Sequence, residues 1–272
     1  MLNFIVFLLG TILYYFIKPQ RPWKVDETYD MKDEYTKLGL FVVVTVVTQL
    51  ICNVYARKQQ CGGNLSENLG VVIVYTIIPW LLLFGVVILL LLSFPSLKSV
   101  FSNVIGYFYI SSSANKLFTD LLTNRDISGD LDQMPLDKKQ SYERASDLIM
   151  SICGNPGILI NQIVPETFND YWNVLTPLMK TQYQSNTSPE ALKIKQEMYD
   201  LVVSRDNTGE AMWFLYTGIL VISLVQLKIS TKRCSSSVST MEKRYQEYTE
   251  NQEKVAEKRE LAESTTYKIT GS

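Results

Sequence analysis

Apolar residues in this chain gather into four blocks from which charge is excluded. The first, Leu2–Ile17, carries no ionisable acid or base and ends in Tyr14-Tyr15-Phe16, aromatics suited to a membrane surface. The second, residues 38–56, is rich in β-branched residues (Phe41-Val-Val-Val-Thr-Val-Val-Thr48) and is flanked by Lys37 and by Arg57-Lys58. The third, residues 70–94, is 25 residues without a charge, longer than a bilayer core requires. The fourth, residues 212–227, opens with Met212-Trp213-Phe214 and is followed by Lys228, Lys232 and Arg233. A hydrocarbon core of about 30 Å takes roughly 20 residues at helical rise, and lipid tolerates no unpaired backbone, so all four predict transmembrane helices. A cleaved leader is the rival reading of the first block. No positive residue precedes its apolar run and no small-x-small site follows it, only Lys18-Pro-Gln-Arg21-Pro-Trp23-Lys24, so an uncleaved anchor is expected.

Within the blocks, Pro79 removes one backbone hydrogen bond and marks a kink in the third span. Thr45, Thr48, Gln49, Asn53, Thr76, Ser223 and Gln226 are expected to hydrogen-bond between helices, and Gly39, Gly85 and Gly218 to allow close packing. Ion pumps and voltage sensors usually place ionisable groups at membrane depth. Their exclusion from the blocks points to anchoring.

After Pro95 the periodicity becomes amphipathic. Leu97, Val100, Phe101, Val104, Ile105 and Phe108 recur at i, i+3, i+4, i+7, i+8 and i+11, one stripe on a helix. Two readings stay open for this stripe: immersion in the membrane interface, or packing on the domain that follows. Residues 117–206 read as helices joined by short turns. Asp137 is a cap for a helix ending near Cys153, Gly154-Asn-Pro-Gly157 a break, Pro165 a start for a helix through Phe168, Trp172 and Met179, and Ser188-Pro189-Glu190 a further start. Their aromatics are expected in a small helical core. The tail mixes charges of both signs from Ser239 to Glu263, with Ser239 and Glu242 as a capping box. Met241, Tyr245, Tyr248, Gln252, Val255, Arg259 and Ala262 form an impure heptad seam, so a solvated helix and a partner-binding helix are both open.

The predicted fold is therefore all-α: a four-helix transmembrane protein with a small helical extramembrane domain and a charged C-terminal helix. Residues 1–94 supply three spans (2–17, 38–56, 70–94), 95–211 the membrane-proximal helix and domain, 212–227 the fourth span and 228–272 the tail. This topology puts both termini and the 57–69 loop on one face. Near the spans, seven Lys or Arg residues lie on each face, so charge bias does not orient the chain. The sequons at Asn64 and Asn186 fall on opposite faces, so at most one is used.

A net charge of −1 offers no basic face for nucleic acid, and the absence of histidine excludes His-based catalysis and His-ligated metals. Cys52, Cys61, Cys153 and Cys234 have no CxxC spacing and read as unpaired thiols. P-loop, dinucleotide-binding, HExxH and GxSxG patterns are missing, and the acidic pairs sit in polar turns, so neither a cofactor nor an enzymatic reaction is predicted.

One stretch carries a likeness. Ile78-Pro79-Trp80-Leu-Leu-Leu-Phe84-Gly85 leads to Phe94-Pro95-Ser-Leu-Lys98-Ser-Val-Phe101-Ser-Asn-Val-Ile105-Gly106-Tyr107. It resembles membrane proteins of large icosahedral DNA viruses of the algal-virus and giant-virus group, over residues 76 to about 122. The resemblance implies a minor structural component of the virion inner membrane, with the bilayer and capsid or interior proteins as partners. In the same stretch Pro79 should bend the third span, Pro95 turn the chain as it leaves lipid and Gly106 permit close approach, so Pro79, Trp80, Pro95, Phe101, Ile105, Gly106 and Tyr107 are expected to form a structural corner that sets the angle between membrane and domain. An accessory subunit of a cellular membrane complex or channel is the alternative.

Overall fold

The computed structural model describes residues 2–19, 31–61, 66–122, 156–185, 187–234 and 238–269. The expected helix from Asp137 to Cys153 and both sequon asparagines lie outside them. Among the described residues the fold is all-α, with one isolated bridge between Leu122 and Met179.

Helix α1 is Leu2–Ile17 and α2 is Met31–Cys61, which extends the second apolar block by more than a turn at each end. Then α3, Ser66–Pro79, passes without a break through a π-helical stretch, Trp80–Gly85, into α4, Val86–Ser93. Pro79 does not end this helix. Having no N–H, it leaves the carbonyl one turn back without its usual partner, and the wider turn that follows absorbs the mismatch. That turn carries Trp80 and Phe84 together into the bundle interior, where both are fully buried. Three helices are long and apolar enough to cross a membrane: Lys32–Cys61, Asn68–Ser93 and Pro189–Thr231. The shorter α1 packs among them.

The bundle is held from inside by aromatic rings. Tyr14 stacks on Phe41 at 4.7 Å and Phe41 on Phe214 at 5.8 Å, while Phe84 meets Trp80, Phe7 and Phe214 at 5.1, 5.9 and 5.7 Å. Below them, Asn3 donates to Asn53 at 2.6 Å, Asn53 to Thr76 at 3.1 Å, and Gln49 to the Asn3 carbonyl at 2.8 Å, linking α1, α2 and α3. Of the expected interhelical contacts, Gln49, Asn53 and Thr76 are made, whereas Thr48 and Ser223 bond back to their own helices. Gly218 receives the Phe7 ring, but Gly39 faces open space and Gly85 touches only its own turn, so those two glycines do not serve helix approach.

At Phe94 the backbone leaves the helical region and a 3₁₀ turn, Pro95–Lys98, interrupts the helix before the chain continues along the later helix Pro189–Thr231. It continues as α5 (Ser99–Phe101), a second π-helical stretch (Ser102–Gly106) and α6 (Tyr107–Leu121). Residues 156–185 add 3₁₀ turns, α7 (Phe168–Leu175) and α8 (Thr181–Gln184). Ser188 then caps α9, accepting from the Ala191 N–H at 3.2 Å. The domain core joins Leu117, Phe118 and Leu121 of α6 to Phe168 and Trp172 of α7 and to Met198 and Val202 of α9.

Helix α9, Pro189–Thr231, is the principal departure from the sequence reading. A domain helix starting at Pro189 and a span starting at Met212 were expected as separate elements. They are one helix of 43 residues, about 64 Å at 1.5 Å per residue, shared by the domain core and the bundle core. Helix α10, Val238–Ile269, carries the tail, and its described side chains are almost all exposed.

Candidate functional site

Where bundle and domain meet, α9 presents Asp206 and Glu210, one turn apart and therefore on one face. Lys18 arrives from the end of α1, and the turn at Pro95 brings Lys98 to the same place. Glu210 accepts from both lysines, Lys18 Nζ at 2.7 Å and Lys98 Nζ at 2.9 Å, one on each carboxylate oxygen. Lys98 Nζ also reaches Asp206 at 3.0 Å, Lys18 Nζ the Asn207 amide oxygen at 2.9 Å, and Tyr15 donates its hydroxyl to Glu210 at 3.2 Å. Two cations and two anions make the cluster neutral.

All four charged side chains are nearly closed to solvent. Isolated charges would be very costly there, and mutual pairing with satisfied hydrogen bonds is what makes the burial tolerable. Burial by itself pulls the Lys98 pKa down. The Glu210 and Asp206 carboxylates outweigh it and hold Lys98 above the ordinary lysine value, so it stays charged.

Arg205 turns the same helical segment toward the domain. It is 1% exposed and donates to the carbonyls of Ile160 and Ile163, the latter at 2.7 Å. Adjacent residues of one helix thus grip the domain with Arg205 and the bundle with Asp206 and Glu210. Two glycines permit the contact. A Cβ on Gly106 would lie 2.6 Å from the Arg205 carbonyl oxygen, and one on Gly209 2.7 Å from the Ser102 side chain and 2.8 Å from the Lys98 carbonyl oxygen. Only hydrogen fits at either position.

The expected corner residues divide into two groups. Pro79 and Trp80 lie inside the bundle, with Trp80 in the aromatic core. Pro95, Phe101, Ile105, Gly106 and Tyr107 lie at the junction. Phe101 packs edge-on against Trp213 at 5.1 Å, Trp213 donates its indole N–H to the Leu97 carbonyl at 2.9 Å, and Tyr107 packs on the domain core. Lys18, Lys98 and Arg205 read from sequence as charges flanking spans. Their pairing was hidden because Lys18 and Glu210 stand 192 residues apart. The i, i+4 carboxylates beside Gly209, just ahead of an apolar block, were the available signal.

The cysteines correct a second expectation. Cys61 and Cys234 are joined by a disulfide, Cα–Cα 5.6 Å, at the opposite end of the bundle; Cys52 is free and buried, and Cys153 lies outside the described residues. Beside that bond Arg57, 2% exposed, donates to the carbonyls of Ile229, Lys232 and Arg233, each at 2.9 Å.

The space adjoining the ion cluster, about 10 Å³ between Lys18, Lys98, Pro165, Val203 and Asp206, admits a single water at most. A groove of about 580 Å³ lies near the disulfide end, bordered by Asn3, Asn53, Gln59, Gln60, Gln226 and Ser230. Comparison with protein-family models, with curated proteins and with solved structures returned no match.

Proposed function

We propose that this protein is a non-enzymatic membrane tether that holds a helical domain at a fixed attitude to the bilayer. The observation that carries the reading is α9, one uninterrupted helix whose upper half is domain core and whose lower half is bundle core. A hinge would let the domain swing. Here a closed ion cluster and two glycine contacts brace the single helix at the crossing point, as suits transmission of position rather than turnover.

In the same proposal α1 is a fourth span. Its length is about 24 Å at helical rise, short for a bilayer core. Both of its ends are nevertheless tied to the longer helices, Asn3 to Asn53 inside the second apolar block and Lys18 to Glu210 at the domain end. The domain and the tail then project from opposite faces and are free to engage different layers. The resemblance of residues 78–107 to inner-membrane proteins of large DNA viruses supplies the setting: a virion inner membrane, with capsid proteins on one side and interior proteins on the other.

Cross-linking mass spectrometry on purified particles tests the proposal. Residues 156–185 and 238–269 are expected to cross-link to two different sets of virion proteins, and the chain to co-purify with particles through density gradients. Absence from particles, with cross-links instead to a cellular membrane complex, would replace the virion tether by an accessory subunit.

A further inference from the structure

The face of the post-Pro95 helix that turns away from the protein is unusual. Lys98, Ser102, Gly106, Ile110 and Ala114 form the buried side. Leu97, Val100, Val104, Ile105, Phe108 and Tyr109 are all exposed, Val104 to 67% and Phe108 to 83%. The stripe is thus not domain core, which removes one of the two readings left open by the sequence.

Two observations say what covers it. First, the stripe directly follows α4, which exposes Leu89 to 63% and also Leu90 and Leu92 on a helix long and apolar enough to cross a membrane, and Phe94 between the two is exposed to 57%. Second, the exposed face changes character along one unbroken helix. It is apolar up to Phe108 and Tyr109, and from Ser112 onward it presents Ser112, Ser113, Lys116, Thr119 and Asp120. Tyr109 at that change is of the amphipathic aromatic type enriched at the water edge of a bilayer.

We propose that this face is a lipid-binding surface, lying in the acyl–headgroup boundary of the leaflet from which α4 emerges. Its chemistry defines the lipid class. Lys98 is withdrawn into the ion cluster and the stripe itself carries no cation, so insertion depends on apolar contact and not on anionic headgroups. The ion cluster then sits at headgroup depth, with this helix between it and the lipid. The proposal rests on the membrane placement of the bundle but not on the tethering role.

A photo-reactive benzoylphenylalanine at Val104, Phe108, Ser113 or Lys116 of the full chain, reconstituted into phosphatidylcholine vesicles, tests it. Leu89 serves as the reference for lipid contact. Lipid adducts at positions 104 and 108 are expected at a level comparable with position 89 and severalfold above 113 and 116. They should be unchanged by high salt or by adding phosphatidylserine. Adducts at 89 but not at 104 and 108, or chain-to-chain adducts at 104 and 108, overturn the lipid assignment alone. Absence of adducts at 89 as well would overturn the membrane placement beneath it.

A different observation orients the chain. Charge bias is balanced, but the Cys61–Cys234 disulfide lies at the end of the bundle opposite the domain. Disulfides form and persist in oxidising compartments. We infer that the disulfide end and α10 face the oxidising side of the membrane and the domain the reducing side. In sealed microsomes with the lumen inside, added protease should digest the domain and spare the tail, and a gel shift on reduction should reveal the bond. A digested tail with a protected domain, or no shift, refutes the orientation.

Discussion

The two ends of the bundle close the same apolar slab by different physics. Ile229 and Glu210, both on α9, are nineteen residues apart, about 28 Å at helical rise, close to a hydrocarbon core. At the disulfide end a single cation, Arg57, meets the Ile229 carbonyl in the last turn of α9, at the negative pole of the helix dipole, and the Lys232 and Arg233 carbonyls just past it, and a covalent bond sits beside it. At the domain end four full charges neutralise one another with no covalent link. Backbone carbonyls cannot be repositioned or lost by substitution, so the Arg57 end is tolerant. The ion cluster is complete only when all its members are present, so it reports directly on whether α1, the Pro95 turn and α9 are in register. Buried charge contributes little net stability and much dependence on correct geometry.

That contrast is broken most severely at Glu210. Glu210→Ala removes the anion shared by both lysines, leaving Lys18, among the described residues, with Asn207 and its place beside Tyr15. Breaking a buried pair in this way costs about 3–5 kcal/mol. Unfolding in detergent, followed by tryptophan fluorescence, is expected to show a loss of this size. Replacing Lys18, Lys98, Asp206 and Glu210 together by Met and Leu is expected to recover most of it, because no unpaired charge is then buried. Failure of the fourfold variant to recover would mean that the cluster is a net source of stability.

Arg57→Met is the matching test at the other end. It frees three carbonyls, but near the membrane surface water can reach them, so the cost is roughly 1–3 kcal/mol, below that of Glu210→Ala. Equal losses from the two variants would erase the proposed difference between the ends.

Much of this architecture was legible in the sequence because it rests on local pattern. The apolar blocks, the Ser188 cap and the Pro95 turn each announce themselves within a few residues. Length and charge exclusion alone led to three of the helices now seen to be long enough for a span. The continuity of α9 was not legible, because Arg205, Asp206 and Glu210 read as the polar end of a domain rather than as the middle of a helix. Only partners far away in sequence make those charges tolerable inside it. The disulfide was hidden for the same reason: its cysteines are separated by 173 residues and by two further spans. The corner was visible as a motif, but not that Trp80 belongs to the bundle while Gly106 belongs to the crossing with α9.

Removing the disulfide by Cys61→Ser sharpens the comparison further. Cross-links that close long loops commonly contribute about 2–4 kcal/mol. Here α2 and α9 already lie side by side in the membrane-embedded reference state, so the gain in chain freedom is small and the loss is expected below that range. The stronger readout is local: limited proteolysis is expected to cut near residue 234 faster, with the domain core unaffected.

The smallest effect is expected at the exposed rim. Asp33 and Lys37 form an i, i+4 pair at 2.8 Å on the first turns of α2, with side chains 50% and 36% exposed. Its chemistry matches the Lys98–Asp206 contact: one ammonium, one carboxylate, about 3 Å. Only the surroundings differ, since water and counter-ions solvate the partners almost as well apart as together. Lys37→Ala is therefore expected to cost at most about 0.5 kcal/mol, and less at high salt. Lys98→Ala, which strands Asp206 and half of Glu210, is expected to cost several times more and to respond little to salt. Parallel unfolding curves at low and high ionic strength decide it. If both variants lose similar stability and both losses shrink with salt, then water reaches the junction and the closed ion cluster is not what fixes the domain to the bundle.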